Sequence, residues 1–152
     1  MKNAATKASA IALTIAVGLV MAGCEKARLD EQVRELCAKD GGIKVYEIVT
    51  LPEEKFDSTG NVRIPFKQHA GPSDEYFIET ETVVLREGDP SLVRMSARVV
   101  RRSDEKVLGE SIYYGRGGGD LPGPWHPSSF TCPNPAEKPY LEPSIFKKGE
   151  VR

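Results

Sequence analysis

The clearest pattern in the chain lies between residues 75 and 114, where apolar and polar side chains alternate with a period of two. This alternation is typical of β-strands that bury one face. It predicts strands over 75–86, 92–102 and 107–114, joined by two tight turns. In the middle strand, Val93, Met95, Ala97 and Val99 alternate with Arg94, Ser96 and Arg98. We expect the apolar set to face the core and the arginines to face water.

The turns set the cross-strand register. In the first hairpin, the turn at 88–90 places Glu79 opposite Arg98, an ion pair worth a few tenths of a kcal/mol. The second hairpin leaves two registers open. A two-residue turn pairs Ala97 with Ile112, whereas a slip of one residue pairs Arg98 with Glu110.

A helix is predicted over residues 25–39, because Leu29, Val33, Leu36 and Cys37 form one apolar stripe at helical spacing. Asp40-Gly41-Gly42 ends the helix, since glycine adopts the left-handed conformation of a C-cap. Residues 43–51 predict a strand. Residues 52–74 predict a loop, with Val62–Ile64 as a short edge strand.

Residues 115–143 contain five of the 14 glycines and seven of the 11 prolines, which predicts irregular structure apart from a short strand near Ser129–Cys132. The final residues, 146–152, predict a flexible tail. The expected fold is therefore α+β, with one N-terminal helix packed on an antiparallel sheet of four to five strands. A Pro/Gly-rich C-terminal segment follows the sheet.

The N-terminus has the three parts of a secretory signal: Lys2 and Lys7, an apolar run over 8–20, and Met21-Ala22-Gly23-Cys24. The last four residues resemble the bacterial lipobox, with Met21 where leucine is usual. That resemblance implies that Cys24 is lipidated and becomes the first residue, with acyl chains such as palmitate holding the protein to a membrane. The alternatives are an uncleaved anchor, or a secreted protein cut after Ala22 or Gly23.

Lipidation of Cys24 leaves Cys37 and Cys132, which are expected to form a disulfide in an oxidising periplasm. A Cys-x-x-Cys redox motif is absent from the sequence, and His69 and His126 are isolated. The sequence therefore predicts no metal site and no cofactor.

The expected organisation is a signal peptide over 1–23, a single periplasmic domain over 24–145 and the tail over 146–152. Removal of the signal takes away Lys2 and Lys7 and no acidic residue, so the net charge moves from −1 to −3. This acidity argues against a nucleic-acid partner. In Gram-negative lipoproteins, which the lipobox resembles, an aspartate after the lipidated cysteine often retains the protein at the inner membrane. Glu25 stands in that position here, so the resemblance implies the outer membrane rather than the inner membrane.

Two groups of residues are candidate binding surfaces. The first is the 115–127 loop, with Arg116, Asp120, Trp125 and His126, although its glycines do not form a phosphate loop because prolines follow instead of Lys-Ser/Thr and a helix. The second is a basic face formed by Arg94, Arg98 and Arg102, which would recognise an anionic group such as a lipid phosphate, or an acidic partner. The structural alternatives are a surface turn with Trp125 capping the core, and a solvated or ion-paired arginine face.

No complete catalytic set is present in the sequence, because a Gly-x-Ser-x-Gly elbow is absent and Glu79 and Glu81 are expected to face arginines. The alternative function is a small envelope hydrolase that uses His126 with Ser128 or Ser129.

Residues 36–46, LCAKDGGIKVY, and 114–133, YGRGGGDLPGPWHPSSFTCP, resemble stretches of small uncharacterised lipoproteins of Gram-negative bacteria. The resemblance spans most of the mature domain and implies a compartment but no chemistry. The leading hypothesis is a non-enzymatic, lipid-anchored periplasmic domain that binds an envelope protein or an anionic envelope component. A purely structural envelope lipoprotein is a further possibility.

Overall fold

The structure is a computed structural model that describes residues 25–120, 123, 126–137 and 140–149. The signal segment, Cys24 and Trp125 lie outside the described residues. Residues 25–40 are helical and are called α1 here, as the apolar stripe predicted. Leu29 and Val33 on this stripe are fully buried. Gly41 follows the helix where a side chain has no room, because an added Cβ would lie 2.7 Å from the Cys37 carbonyl oxygen.

Within the described residues, seven strands and a second short α-helix follow α1, with 3-10 turns at Glu53–Lys55 and Lys67–His69. Their bounds are β1 Gly42–Val45, β2 Val49–Leu51, β3 Tyr76–Arg86, β4 Ser91–Arg101, β5 Lys106–Gly117, β6 Ser129–Cys132, α2 Leu141–Ile145 and β7 Phe146–Lys148. Five of these strands form an antiparallel sheet in the order β1-β5-β4-β3, in which β6 also pairs with β5. The predicted α+β class with a helix on an antiparallel sheet is confirmed.

The structure confirms the predicted register of the first hairpin and selects one of the two alternatives for the second. Glu79 lies opposite Arg98, as the first turn predicted. In the second hairpin the structure has the slipped register, in which Arg98 lies opposite Glu110. The extra residue is Leu108 of β5, which has no partner on β4 because Val99 pairs with Gly109 and Val100 with Val107. Turn length alone does not reveal this bulge.

The sheet is covered on both faces, so the domain has three layers. One core cluster joins Val33 of α1 to Leu92, Ile112 and Tyr114. The other joins Val99 and Leu108 to Leu51, Ile145 and Phe146. Because side chains alternate along a strand, Leu92 and Val99 of β4 point to opposite faces. The helix α1 therefore covers one face, and the β2–β7 pair with α2 covers part of the other.

The prediction of one apolar face and one wet arginine face is wrong in part. The helix packs on the face that carries Arg94 and Arg98, where Ser96 is buried. Leu92 on β4, with Ile112 and Tyr114 on β5, supplies the apolar side chains on which Val33 of α1 packs. Val93 and Met95, on the opposite face, are only half-buried.

Several element boundaries also differ from the sequence predictions. The strand predicted over 43–51 is two strands, because the N–H groups of Tyr46 and Glu47 both donate to the Leu108 carbonyl and turn the chain away from β5. Val62 makes a single bridge to Phe56 instead of an edge strand.

The predicted flexible tail is wrong for residues 146–148. These residues form β7, which pairs in parallel with β2 and buries Phe146. The domain therefore extends past residue 145.

The predicted disulfide between Cys37 and Cys132 is present, with Cα atoms 5.9 Å apart. It joins the last turn of α1 to β6 across a sequence separation of 95 residues. In the chain-entropy model, a disulfide that closes a loop of this length stabilises the folded state by about 4–5 kcal/mol. The bridge thus fixes the Pro/Gly-rich segment against the helix.

Candidate functional site

A group of basic side chains lies on the α1 face of the sheet, beyond the end of the helix. Phe77 of β3 and Val100 of β4 lie opposite each other, and both are buried. The guanidinium of Arg102 lies 5.1 Å from the centroid of the Phe77 ring, and the Lys67 Nζ lies 5.7 Å from it. Arg98 shares this face, two residues before Val100. We call Lys67, Arg98 and Arg102 the distal cation cluster.

One carboxylate serves two members of the distal cation cluster. Lys67 donates to Glu79 Oε1 at 2.6 Å, and the Arg98 guanidinium lies 3.5 Å from Oε2 of the same residue. Arg102 uses its Nε to donate to the Asp74 carbonyl at 2.7 Å. Its guanidinium forms no ion pair with the residues that the structure describes. The cluster therefore carries more positive charge than its neighbours neutralise.

Two members of the distal cation cluster, Lys67 and Arg102, border a shallow pocket with an apolar floor. Phe77, Val100 and Val107 form the floor, and Lys67, Glu79, Arg102 and Glu105 form the rim. Exposed ammonium and guanidinium groups over an apolar floor suit an anionic group attached to an apolar body.

Arg94, the third residue of the predicted basic face, lies apart from this cluster. Its guanidinium is 3.9 Å from Asp40 Oδ2 at the end of α1 and 4.0 Å from Glu110 Oε1. Asp40 also accepts a hydrogen bond from the Tyr114 hydroxyl at 2.8 Å. Burial and this hydrogen bond raise the pKa of Tyr114. Arg94 thus takes part in the packing of α1.

The glycine-rich segment is a strand rather than a loop up to residue 117, because β5 continues through Gly115-Arg116-Gly117 and pairs with β4 and β6. The loop prediction is therefore wrong for these residues. Arg116 is buried, with its Nε 2.6 Å from Asp30 Oδ1 of α1, and it also donates to the Ser128 carbonyl. Its side chain offers no exposed surface to a ligand.

Asp120 belongs to the same internal network. It accepts from Lys26 Nζ, and both the N–H and the hydroxyl of Ser128 donate to it. The Lys26 ammonium, followed by the Ser128 donors, holds the pKa of Asp120 at about 2. This network connects the start of α1 with the ends of the glycine-rich segment.

The hydrolase alternative finds no support in this geometry. The Ser128 hydroxyl donates to Asp120 at 2.9 Å, and His126 is exposed. Within the described residues, His126 forms no hydrogen bond with either Ser128 or Ser129. Ser128 therefore lacks the hydrogen bond to His126 by which the hydrolase alternative would activate it as a nucleophile.

The basic face predicted from the sequence contains Arg98 and Arg102 but not Lys67 or the Phe77 floor. Lys67 comes from the long 52–74 loop, whose path depends on a bridge between Phe66 and Ile78. Across the described ranges, no group of three or more potential metal ligands is found, and no helix is long and apolar enough to cross a membrane. Comparison with protein-family models, curated proteins and solved structures finds no match to this chain.

Proposed function

We propose that this protein is a non-enzymatic binding domain, attached through lipid on Cys24 to a bacterial membrane on its periplasmic side, with the outer membrane favoured. The lipobox resemblance supports the anchor, and the Cys37–Cys132 disulfide is consistent with an oxidising compartment. Radiolabelled palmitate should label the wild-type chain and not Cys24→Ala. Equal labelling of both chains would contradict the anchor.

The proposed ligand is a phosphate-bearing lipid headgroup, bound at the distal cation cluster. The observation that carries this proposal is that Lys67 and Arg102 lie over the Phe77 ring, with Arg98 on the same face of the sheet. Among the described residues, Glu79 is the one carboxylate that forms ion pairs with these cations, and Glu105 on the pocket rim forms none with them. Cations near an anionic membrane surface contribute about 1 kcal/mol each.

The position of α1 favours a headgroup of the anchoring membrane as the ligand. Residue 25 follows the lipidated position directly, and α1 packs on the same face of the sheet as the distal cation cluster. Glu25 forms an ion pair with Arg86, so the start of α1 lies near the end of β3. Phe77 is nine residues away along this strand, about 30 Å at 3.4 Å per residue. A domain lying with its α1 face on the bilayer would bring the cluster to the headgroups.

Vesicle flotation tests this proposal. The mature chain with Cys24→Ala removes the anchor, so any binding comes from the protein surface. We expect flotation with phosphatidylglycerol vesicles at low salt, loss of flotation at high salt, and none with phosphatidylcholine.

A triple variant, Lys67→Gln, Arg98→Gln and Arg102→Gln, should abolish this flotation. The matched control changes three exposed cations outside the cluster, Lys55, Arg63 and Lys147, to glutamine and alters the net charge equally. Equal loss of flotation in both variants would show that net charge alone explains the binding, and would contradict a specific site.

A further inference from the structure

The outer edge of β3 is open over its second half. In the order β1-β5-β4-β3, β3 is the last strand of the sheet. Residues 64–66 cover only its beginning, where the N–H of Ile78 donates to the Pro65 carbonyl at 2.9 Å. From Thr80 to Leu85 every residue is exposed, including Val84 at 53% and Leu85 at 45%. Such an edge is a template for another strand.

The hydrogen-bond pattern identifies the free backbone groups. The backbone N–H of Arg102 donates to the backbone carbonyl of Glu75, so Glu75 bonds towards β4. The N–H of Ile78 donates to the Pro65 carbonyl, on the side away from β4. Because antiparallel pairs alternate, odd-numbered residues of β3 bond to β4 and even-numbered residues point outward as far as Val84, beyond which a bulge at Leu85 shifts the register with β4. The N–H and C=O groups of Thr80, Thr82 and Val84 therefore face solvent, and no described residue bonds to them.

We propose that a second copy of this chain pairs with this edge, β3 against β3 in antiparallel orientation, with the two-fold axis at Thr82. In this register, Thr82 lies opposite Thr82 of the second copy, and Thr80 lies opposite its Val84. All three outward residues then exchange hydrogen bonds with the second copy. This inference rests on the backbone of β3 and does not depend on the proposed ligand or on lipidation.

Charge selects this register over its neighbours. Centring the pair on Glu81 would place the two Glu81 carboxylates directly opposite each other. Centring it on Val83 would place Glu79 opposite Glu87. Like charges in directly opposite positions destabilise a strand pair. Centring on Thr82 places Glu81 opposite Val83 and Glu79 opposite Leu85, so that neither pair is repulsive.

The exposed apolar residues fit the same arrangement. Val84 shares a face with the half-buried Val93 opposite it, and Val83 and Leu85 are exposed at the end of β3. Pairing would cover part of this apolar area in each copy. A two-fold axis normal to the joined sheets keeps both α1 helices on one face of the assembly, so both copies can attach to one membrane.

Cysteine crosslinking of the full chain in whole cells that express it tests the pairing and its register. Opposed residues of a hydrogen-bonded pair have Cα atoms about 5.5 Å apart, within the range of a disulfide. Thr82→Cys should therefore form a covalent dimer on mild oxidation. Thr80→Cys, four residues from its own counterpart and about 14 Å away, should remain at the wild-type level.

A lysine at Val84 should separate the edges without disturbing the core, because this side chain is exposed. Adding Val84→Lys to Thr82→Cys should lower the dimer fraction at least fivefold. Equal crosslinking at positions 80 and 82, no dimer at position 82, or a crosslink from position 82 to a different protein would overturn the inference.

Discussion

Arg116 on β5 and Asp30 on α1 form an ion pair in which the Arg116 side chain is only 2% exposed, and the Nε and Oδ1 atoms are 2.6 Å apart. The guanidinium also donates to backbone carbonyls at Gly118 and Ser128. A charge buried in this way depends on all of its partners. The pair connects the helix to the end of the sheet that is nearest to residue 25.

Replacing Arg116 with alanine should lower the free energy of unfolding by about 3–5 kcal/mol, because it leaves the Asp30 carboxylate and the carbonyls without their donor. Denaturant unfolding measures this change. Arg34→Ala is the control, because Arg34 is exposed, pairs with Glu31 and lies 4.7 Å from the Phe130 ring centroid, and it should cost less than about 2 kcal/mol. Similar losses in the two variants would contradict a structural role for Arg116.

Gly109 lies where β5 meets α2. A Cβ added there would lie 2.7 Å from Ile145 Cδ1 and 3.0 Å from the Lys44 carbonyl oxygen. Gly109→Ala should therefore destabilise the domain by about 1–3 kcal/mol through overpacking. Thermal unfolding would show this as a lowered midpoint temperature. At Gly71 the nearest atom would be 3.7 Å away, so Gly71→Ala should leave the midpoint close to that of wild type.

Acid should weaken the network around Asp120. Its folded-state pKa of about 2 lies below its ordinary value of 3.8, so its contribution to stability is present above pH 4 and is lost as the pH falls towards 2. Carboxyl NMR titration should give a midpoint near pH 2 for Asp120. Replacing Lys26 with Gln should raise that midpoint, because it removes the largest cause of the shift. A midpoint near 3.8 in the wild-type chain would contradict the observed contact with Lys26.

The pattern of apolar and polar residues predicted those elements whose structure depends on residues close together in the chain. The period of two placed the three long strands and the Glu79–Arg98 pair, and the stripe of Leu29 and Val33 placed α1. Counting cysteines predicted the Cys37–Cys132 bridge, since lipidation of Cys24 would leave only that pair.

The remaining features depend on contacts between distant segments. The glycines at 115–117 suggested a loop, but pairing on both sides by β4 and β6 holds them in a strand. Phe146 is buried because β2 pairs with β7, and a three-residue strand carries little signal of its own. Lys67 reaches Phe77 only because the 52–74 loop folds back along β3.

A titration of the distal cation cluster with soluble short-chain phosphatidylglycerol tests the proposed function most directly. Backbone NMR shifts should change around Phe77 and Arg102 on addition of this lipid, and should stay unchanged with short-chain phosphatidylcholine. Lys67→Gln and Arg102→Gln should each weaken binding at least threefold, whereas Lys55→Gln should leave it unchanged. Shifts spread over all exposed cations, or equal affinity in the Arg102→Gln and Lys55→Gln chains, would contradict the account.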